Sequence, residues 1–367
     1  MKFLIVGEWI HEMYEKAIAD AFLKLNHEVM AFKWHPYFKV ISTTPGIRHI
    51  ELIYKKAQNK YLLGPIINRL NNELIEDVKK LSPDTLFIFR GTHIQGRTLK
   101  TLKSQYKNMT IVIYNHDDPF SPDYPMWKPW RHFMDSIPLS DLVLAHRHRN
   151  FEEYFNKGAT QVELLRTWFI PERNHPVTFS PEEKEKYECD VVFVGHFEND
   201  GRLELLEKIA KAGWNLKIYG AHHEWGEALL KSPELRGQVP TRLAWGAEYN
   251  KALAGGKIAM CFLSKLNRDT YATRCFEIPA TGSFLLSEYT DDLNSLFKEG
   301  IHAEFFRTPD EMLLKIKKYM EDSPLRKKVA DSGRAWVNEQ GHDVNSRMRQ
   351  VITWIESSKK RKNDGNA

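Results

Sequence analysis

The densest polar chemistry in the chain lies in Asn267-Arg-Asp-Thr-Tyr-Ala-Thr-Arg-Cys-Phe-Glu-Ile-Pro-Ala-Thr-Gly282. An apolar stretch ends at Leu263, a polar loop follows, and helical spacing begins near Thr273, which is placed as the N-cap of that helix. Backbone N–H groups left free at such a start, with Arg274 beside them, suit a phosphate or diphosphate. Glu277, one turn beyond Arg274, would face the same side. A carboxylate there can accept hydrogen bonds from two adjacent hydroxyls, as on a ribose. The same spacing also suits an ordinary ion pair on a solvated helix, and Gly282 a simple turn before the next strand.

A second candidate is Asn115-His-Asp-Asp-Pro119, directly after an apolar run. If it stands at the carboxyl end of a strand, His116, Asp117 and Asp118 are candidates for the base that deprotonates an acceptor hydroxyl. Asp-Asp-Pro is equally good turn chemistry. Gly7, His11 and Arg90 also follow apolar runs and are candidates to line a cleft; His11 fits equally a helix start and Arg90 a structural ion pair. Met126-Trp-Lys-Pro-Trp-Arg-His-Phe133 interleaves aromatics with cations, and Trp127 and Trp130 could stack on a glycan, meet an anionic membrane, or pack in a core.

The elements that must position these residues read as alternating strands and helices. Lys2–Gly7, His27–Lys33, Thr85–Phe89, Thr110–Tyr114 and Asp141–Ala145 are short apolar runs with helical or polar stretches between them, which predicts a parallel sheet covered by helices. After Pro171 a polar, charged stretch reads as a linker. Asp190–Gly195, Leu216–Tyr219, Lys257–Leu263 and Ser283–Ser287 then repeat the pattern, with helices expected at 202–212, 310–319, 325–339 and 345–356. The fold class is therefore α/β with two tandem Rossmann-like domains: residues 1–171, a linker 172–189, residues 190–342, and a C-terminal helix with basic tail, 343–367, able to pack back on the first domain.

With 367 residues, 42% hydrophobic and 28% charged, the chain is long enough for two domains and has ordinary globular composition. A net charge of +5 is too small an excess to imply a nucleic-acid partner. Three cysteines without ligand spacing suit a reducing cytoplasm, and neither a signal sequence nor an apolar run of about 18 residues is present, though contact with a membrane surface stays open. Neither a Gly-x-Gly-x-x-Gly fingerprint nor a phosphate loop of the nucleotide-triphosphatase type occurs, which weighs against a dehydrogenase and a motor.

The segment Asp269-x7-Glu277 with Ala280 and Gly282 resembles the donor-binding signature of group 1 glycosyltransferases of the two-domain GT-B fold, in particular the spore-maturation-protein-like branch. Val192-Phe-Val-Gly195 with Arg202, Trp245-Gly-Ala-Glu-Tyr249 and Lys257-Ile-Ala-Met260 extend the likeness, which is strong over about 190–354 and looser before Pro171. The sequence departs from the family in having Asp at 269 where Glu is usual, which shortens the sugar contact. The resemblance implies an interdomain active site, a C-terminal domain for a nucleoside-diphosphate-sugar donor and an N-terminal domain for a hydroxyl acceptor on a glycan or lipid-linked molecule. It implies donor contacts from Gly195, Arg202, Asp269, Thr273, Arg274, Glu277 and Gly282, with Arg202 also neutralising the leaving diphosphate. Fixed cations would make a metal or other cofactor unnecessary. The alternatives are a nucleotide-sugar-processing enzyme of the hydrolysing-epimerase type and a noncatalytic nucleotide-sugar-binding protein. The implied location is cytoplasmic, or at the inner face of a membrane.

Overall fold

The computed structural model describes residues 1–124 and 129–364, the last two by backbone alone. Trp127 lies outside the described residues. Contacts divide the chain into two compact units: Met1–Arg166 with the segment from Val344 onward, and Thr167–Asp343.

The first unit holds strands β1 (Lys2–Gly7), β2 (Glu28–Lys33), β3 (Thr85–Phe89), β4 (Thr110–Asn115), β5 (Leu142–Ala145) and β6 (Val162–Leu164). They form one sheet in the order β2-β1-β3-β4-β5-β6, every neighbouring pair parallel. The inner strands are covered on both faces, which is why they read as unbroken apolar runs rather than alternating ones. The parallel register brings Gly7, Phe89, Asn115 and Ala145 to the same end of the sheet. The strand order reverses between β1 and β3, the kind of switch point where parallel sheets open a crevice for ligands.

The second unit repeats the plan with β7 (Cys189–Val194), β8 (Leu216–Tyr219), β9 (Gly256–Cys261), β10 (Phe284–Glu288) and β11 (Glu304–Phe306), in the order β11-β10-β9-β7-β8 and again all parallel. Its switch point lies between β7 and β9. The helices Arg202–Lys211, Pro309–Glu321 and Ser323–Glu339 follow the predicted spans closely.

Three features differ from expectation. The stretch 172–189 is not an open linker: it contains the helix Pro181–Tyr187, closed by a reciprocal Ser180/Glu183 capping box and anchored by buried Tyr187. Its charged composition hid a helix with one buried apolar residue, held otherwise by ion pairs of Glu183 with Lys251 and Lys186 with Glu248. Strands β6 and β11 were not foreseen because three residues carry too little periodicity to register. The C-terminal helix runs from Val344 to Asp364 through the basic run, and within the first unit Lys362 Nζ donates to the Met109 carbonyl at 3.0 Å.

Candidate active site

In the second unit, the carboxyl ends of β7 and β9 flank the start of the helix Arg274–Ala280. Arg274 lies across them. Its guanidinium carbon sits 5.6 Å from the Phe193 ring, and a Cβ placed on Gly195 would come within 3.0 Å of its Nη1. Its hydrogen bond to the Phe262 carbonyl is long, at 3.5 Å, and its buried Nε has no partner. Among the described residues Arg274 makes no ion pair, and the Glu277 carboxylate one turn on acts on its charge without contact. Burial of that kind is costly unless a ligand supplies the countercharge.

Glu277 is fully buried, on the same helix. Its carboxylate accepts from the Arg173 guanidinium and, at 2.6 Å, from the Tyr249 hydroxyl, while the Arg173 guanidinium stacks 5.1 Å above the Tyr249 ring. Burial first, then the nearby Glu277 charge, holds the Tyr249 hydroxyl well above the usual tyrosine range, so it stays a donor. Two of the roughly four lone-pair sites of the Glu277 carboxylate are therefore taken by protein. Arg173 and Tyr249 were not singled out from the sequence. Arg173 is 104 residues from Glu277 and sits in a segment read as a linker, so no local spacing could have joined them.

Several expected roles are corrected. Thr273 does not cap the helix: its backbone is helical, and its hydroxyl pairs instead with that of Thr167 at 2.9 Å. The amides of Cys275, Phe276 and Glu277 donate to the carbonyls of Ala272 and Thr273, and a seven-residue helix with those amides spent offers no phosphate cradle at its start. Arg202 is 2% exposed. Its Nε and Nη2 grip Asp200 at 2.8 and 2.6 Å and its Nη1 donates to the His196 carbonyl at 2.6 Å. A guanidinium so occupied holds the loop 196–201. That loop is in turn tied to the next one by Ser264 Oγ, which donates to Glu198 at 2.8 Å. Gly282 has φ +79 and closes the helix, its amide donating to the Pro279 carbonyl at 2.8 Å; it is a turn residue, where glycine alone adopts the backbone without strain. Asp269 stands in the half-exposed turn between β9 and the helix, its amide donating to the Ser264 carbonyl at 2.9 Å.

In the first unit, the carboxyl end of the sheet gathers His11, Tyr14, Arg90, His116 and Asp117. Gly7 ends β1 against the buried carboxyl of Glu15, which accepts from the Glu8 amide at 2.7 Å; a Cβ on Gly7 would overlap that carboxylate. His11 precedes the π-helical turn Glu12–Lys16 and meets the Tyr14 ring edge-on, 5.8 Å between centroids. The His116 ring clusters with Tyr14 at 4.5 Å and Phe89 at 5.3 Å, those two rings being 5.1 Å from each other, and its buried Nδ1 has no partner. Burial pushes its pKa down to about 4, against the opposing pull of Asp117, so it is neutral near pH 7. Arg90 bonds Asp117 at 2.8 Å and lies 5.5 Å from the Trp130 ring. Burial alone would raise the Asp117 pKa, but His116, Arg90 and Arg147 together hold it below the usual range. Asp118 is fully buried and accepts from the Phe120 amide at 3.1 Å and from Asn150 at 3.0 Å, which makes it the turn residue and removes it from the candidate bases. Trp130 is packed, its ring met edge-on by Tyr124 at 5.4 Å.

Residues 202–353 match the model of the family described as Glycosyl transferase-like. No curated protein matches the chain in sequence. Among solved structures, it is similar to sucrose-phosphate synthase from Thermosynechococcus elongatus, at 12% identity and a TM-score of 0.70 over 97% of this chain and 99% of that one. It is also similar to HepE of Anabaena in complex with UDP-glucose, at 13% identity and a TM-score of 0.66 over 97% and 100%. A Listeria monocytogenes protein bearing the name UDP-N-acetylglucosamine 2-epimerase follows at 10% identity and 0.58, over 98% and 97%. These likenesses establish the GT-B fold, two Rossmann-like parallel-sheet units, over nearly the whole chain.

Proposed function

We propose that the chain is a glycosyltransferase of the spore-maturation-protein-like branch that moves a sugar from a nucleoside-diphosphate donor to a hydroxyl acceptor, a glycan or lipid-linked molecule, without a metal. The observation that carries this reading is Arg274: a sheltered guanidinium with an unsatisfied Nε and no ion pair among the described residues, at the carboxyl ends of β7 and β9 inside the segment that matches the glycosyl transferase-like family. As the bond from sugar to diphosphate breaks, negative charge grows on the leaving oxygens, and a fixed cation there stabilises the transition state more than the ground state. HepE of Anabaena, which shares the fold, was solved with UDP-glucose, which supports a uridine donor here. With Arg173 and Tyr249 each taking one lone pair, about two lone-pair sites of the Glu277 carboxylate remain to accept from the hydroxyls of a ribose.

On the acceptor side His116 and Asp117 are the bases to test. The imidazole is neutral and so able to accept a proton, and the Asp117 carboxylate, 3.6 Å from its Nε2, would stabilise the cation formed. The cysteines are free and buried, with Cys261 and Cys275 Sγ atoms 3.6 Å apart, which suits a reducing, cytoplasmic setting. No described helix is long and apolar enough to cross a membrane.

The deciding experiment measures UDP release from UDP-sugars with and without candidate acceptors. Acceptor-dependent release supports the transferase. Release without an acceptor identifies a hydrolase or epimerase-type enzyme on the same fold, and tight UDP binding with no turnover identifies a binding protein.

A further inference from the structure

The helix Pro45–Tyr61 in the first unit inverts the usual arrangement of a surface helix. Two of its polar side chains face the protein: Gln58 is buried and its Oε1 accepts from the Ile66 amide at 2.8 Å, while Glu51 accepts from the Ser42 amide at 2.8 Å. Its apolar ones face out. Ile47 is 60% exposed, Ile50 70%, Ile53 57%, Tyr54 47% and Tyr61 52%, with Ile41 and Leu63 exposed just before and after the helix. At helical pitch these five fall within a sector of about 120°, one continuous stripe. Seven of the sixteen large apolar side chains exposed among the described residues thus lie between 41 and 63. Scattered apolar residues are ordinary on a surface; a contiguous stripe marks a contact face.

The charges beside the stripe identify what covers it. His49, Lys56 and Lys60 run along one border, and Arg48, Lys56 and Lys60 make no ion pair among the described residues. Counting Arg48, Lys55, Lys56 and Lys60 against Glu51, the helix carries a formal +3. Two copies of this face would set cation against cation, which disfavours a self-interface. An anionic surface is complementary to it. Amphipathic helices with this layout rest in the plane of a bilayer, apolar side chains among the acyl chains and basic ones at the headgroups. We propose that the helix Pro45–Tyr61 docks the protein on an anionic phospholipid surface. The inference goes beyond the sugar-transfer reading and does not depend on it. It also differs from the membrane contact expected of residues 126–133.

The test is co-sedimentation of the full-length chain with phosphatidylcholine vesicles, with and without phosphatidylglycerol. Binding is expected to the anionic vesicles and to weaken with added salt. Ile47→Asp/Ile50→Asp should reduce it about tenfold or more at an unchanged melting temperature, because both side chains are exposed. Lys56→Gln/Lys60→Gln should reduce it roughly 25-fold, about fivefold per cation, and keeps the question answerable should the aspartate variant fail to fold. Wild-type protein that does not sediment with anionic vesicles overturns the proposal, as does binding indifferent to both variants. So does a wild-type dimer, seen by sedimentation equilibrium, that the aspartate variant converts to monomer without any vesicle binding.

Discussion

At the scale of single residues, Arg274 and Arg202 separate chemistry from scaffolding. Arg274 has an unsatisfied donor and no carboxylate in contact among the described residues, so Arg274→Ala should lower kcat roughly 10²–10³-fold with little loss of stability, a charge contact stronger in the transition state than in the ground state. Arg202→Ala should do the reverse. It strands Asp200, 7% exposed, and breaks the tether to the His196 carbonyl; a cost of about 3–5 kcal/mol is expected, with normal turnover by what remains folded. Thermal melts and initial rates on both variants check this, and a stable but slow Arg202→Ala would return that residue to the reaction. Glu277→Gln removes the charge that Arg173 pairs with, so both UDP affinity by calorimetry and the melting temperature should fall, each by about 1.5–3 kcal/mol in free energy. A loss of stability with UDP affinity intact would make Glu277 a purely internal partner of Arg173.

At the scale of elements, the segment 172–189 decides where the second unit begins. Its helix Pro181–Tyr187 is held by the capping box and, through Lys251, by an ion pair with Glu183 at 2.6 Å. Ser180→Ala should therefore cost about 1 kcal/mol in a denaturant melt, the usual penalty for losing an N-cap. A variant indistinguishable from wild type would mean the segment behaves as the spacer its composition suggests. The β4 terminus carries the other element-scale consequence. Asn115 holds the Asp117 amide at 3.2 Å while Asp118 is spent on the turn, so the same tripeptide offers one aspartate to the site and one to the backbone.

At the scale of the whole molecule, buried neutral histidines set the acid limit of the first unit. Burial pushes the pKa of His93 down to about 3 and of His116 to about 4, and holds His146 well below the ordinary value near 6.5. The folded form then binds fewer protons than the unfolded one. These groups stabilise the fold fully above about pH 6.5, and the contribution is lost as the pH falls from there toward 4, at about 1.4 kcal/mol per pH unit for each histidine. Denaturant melts in a pH series should show this slope, and His116→Gln should make it shallower; an unchanged slope would mean His116 is already charged in the fold. Metal independence is tested on the intact enzyme by chelator treatment, which should leave turnover nearly intact if fixed cations carry the leaving-group charge.

The sequence by itself determined the two parallel sheets and most strand positions, because strands buried on both faces must be short unbroken apolar runs. It also located the Asp269–Gly282 segment, whose residue types are dense within one stretch. What only the tertiary structure decided was which polar groups are spent on one another. Asp200 occupies Arg202, Tyr249 and Arg173 occupy Glu277, Asn150 helps occupy Asp118, and Thr167 takes the Thr273 hydroxyl. Hydrogen bonds and ion pairs act over a few ångströms in space, and four of these five links join residues 28 or more apart in the chain, up to 106 for Thr167 and Thr273. Local periodicity records which face a side chain presents, and the partner on that face is supplied by the fold.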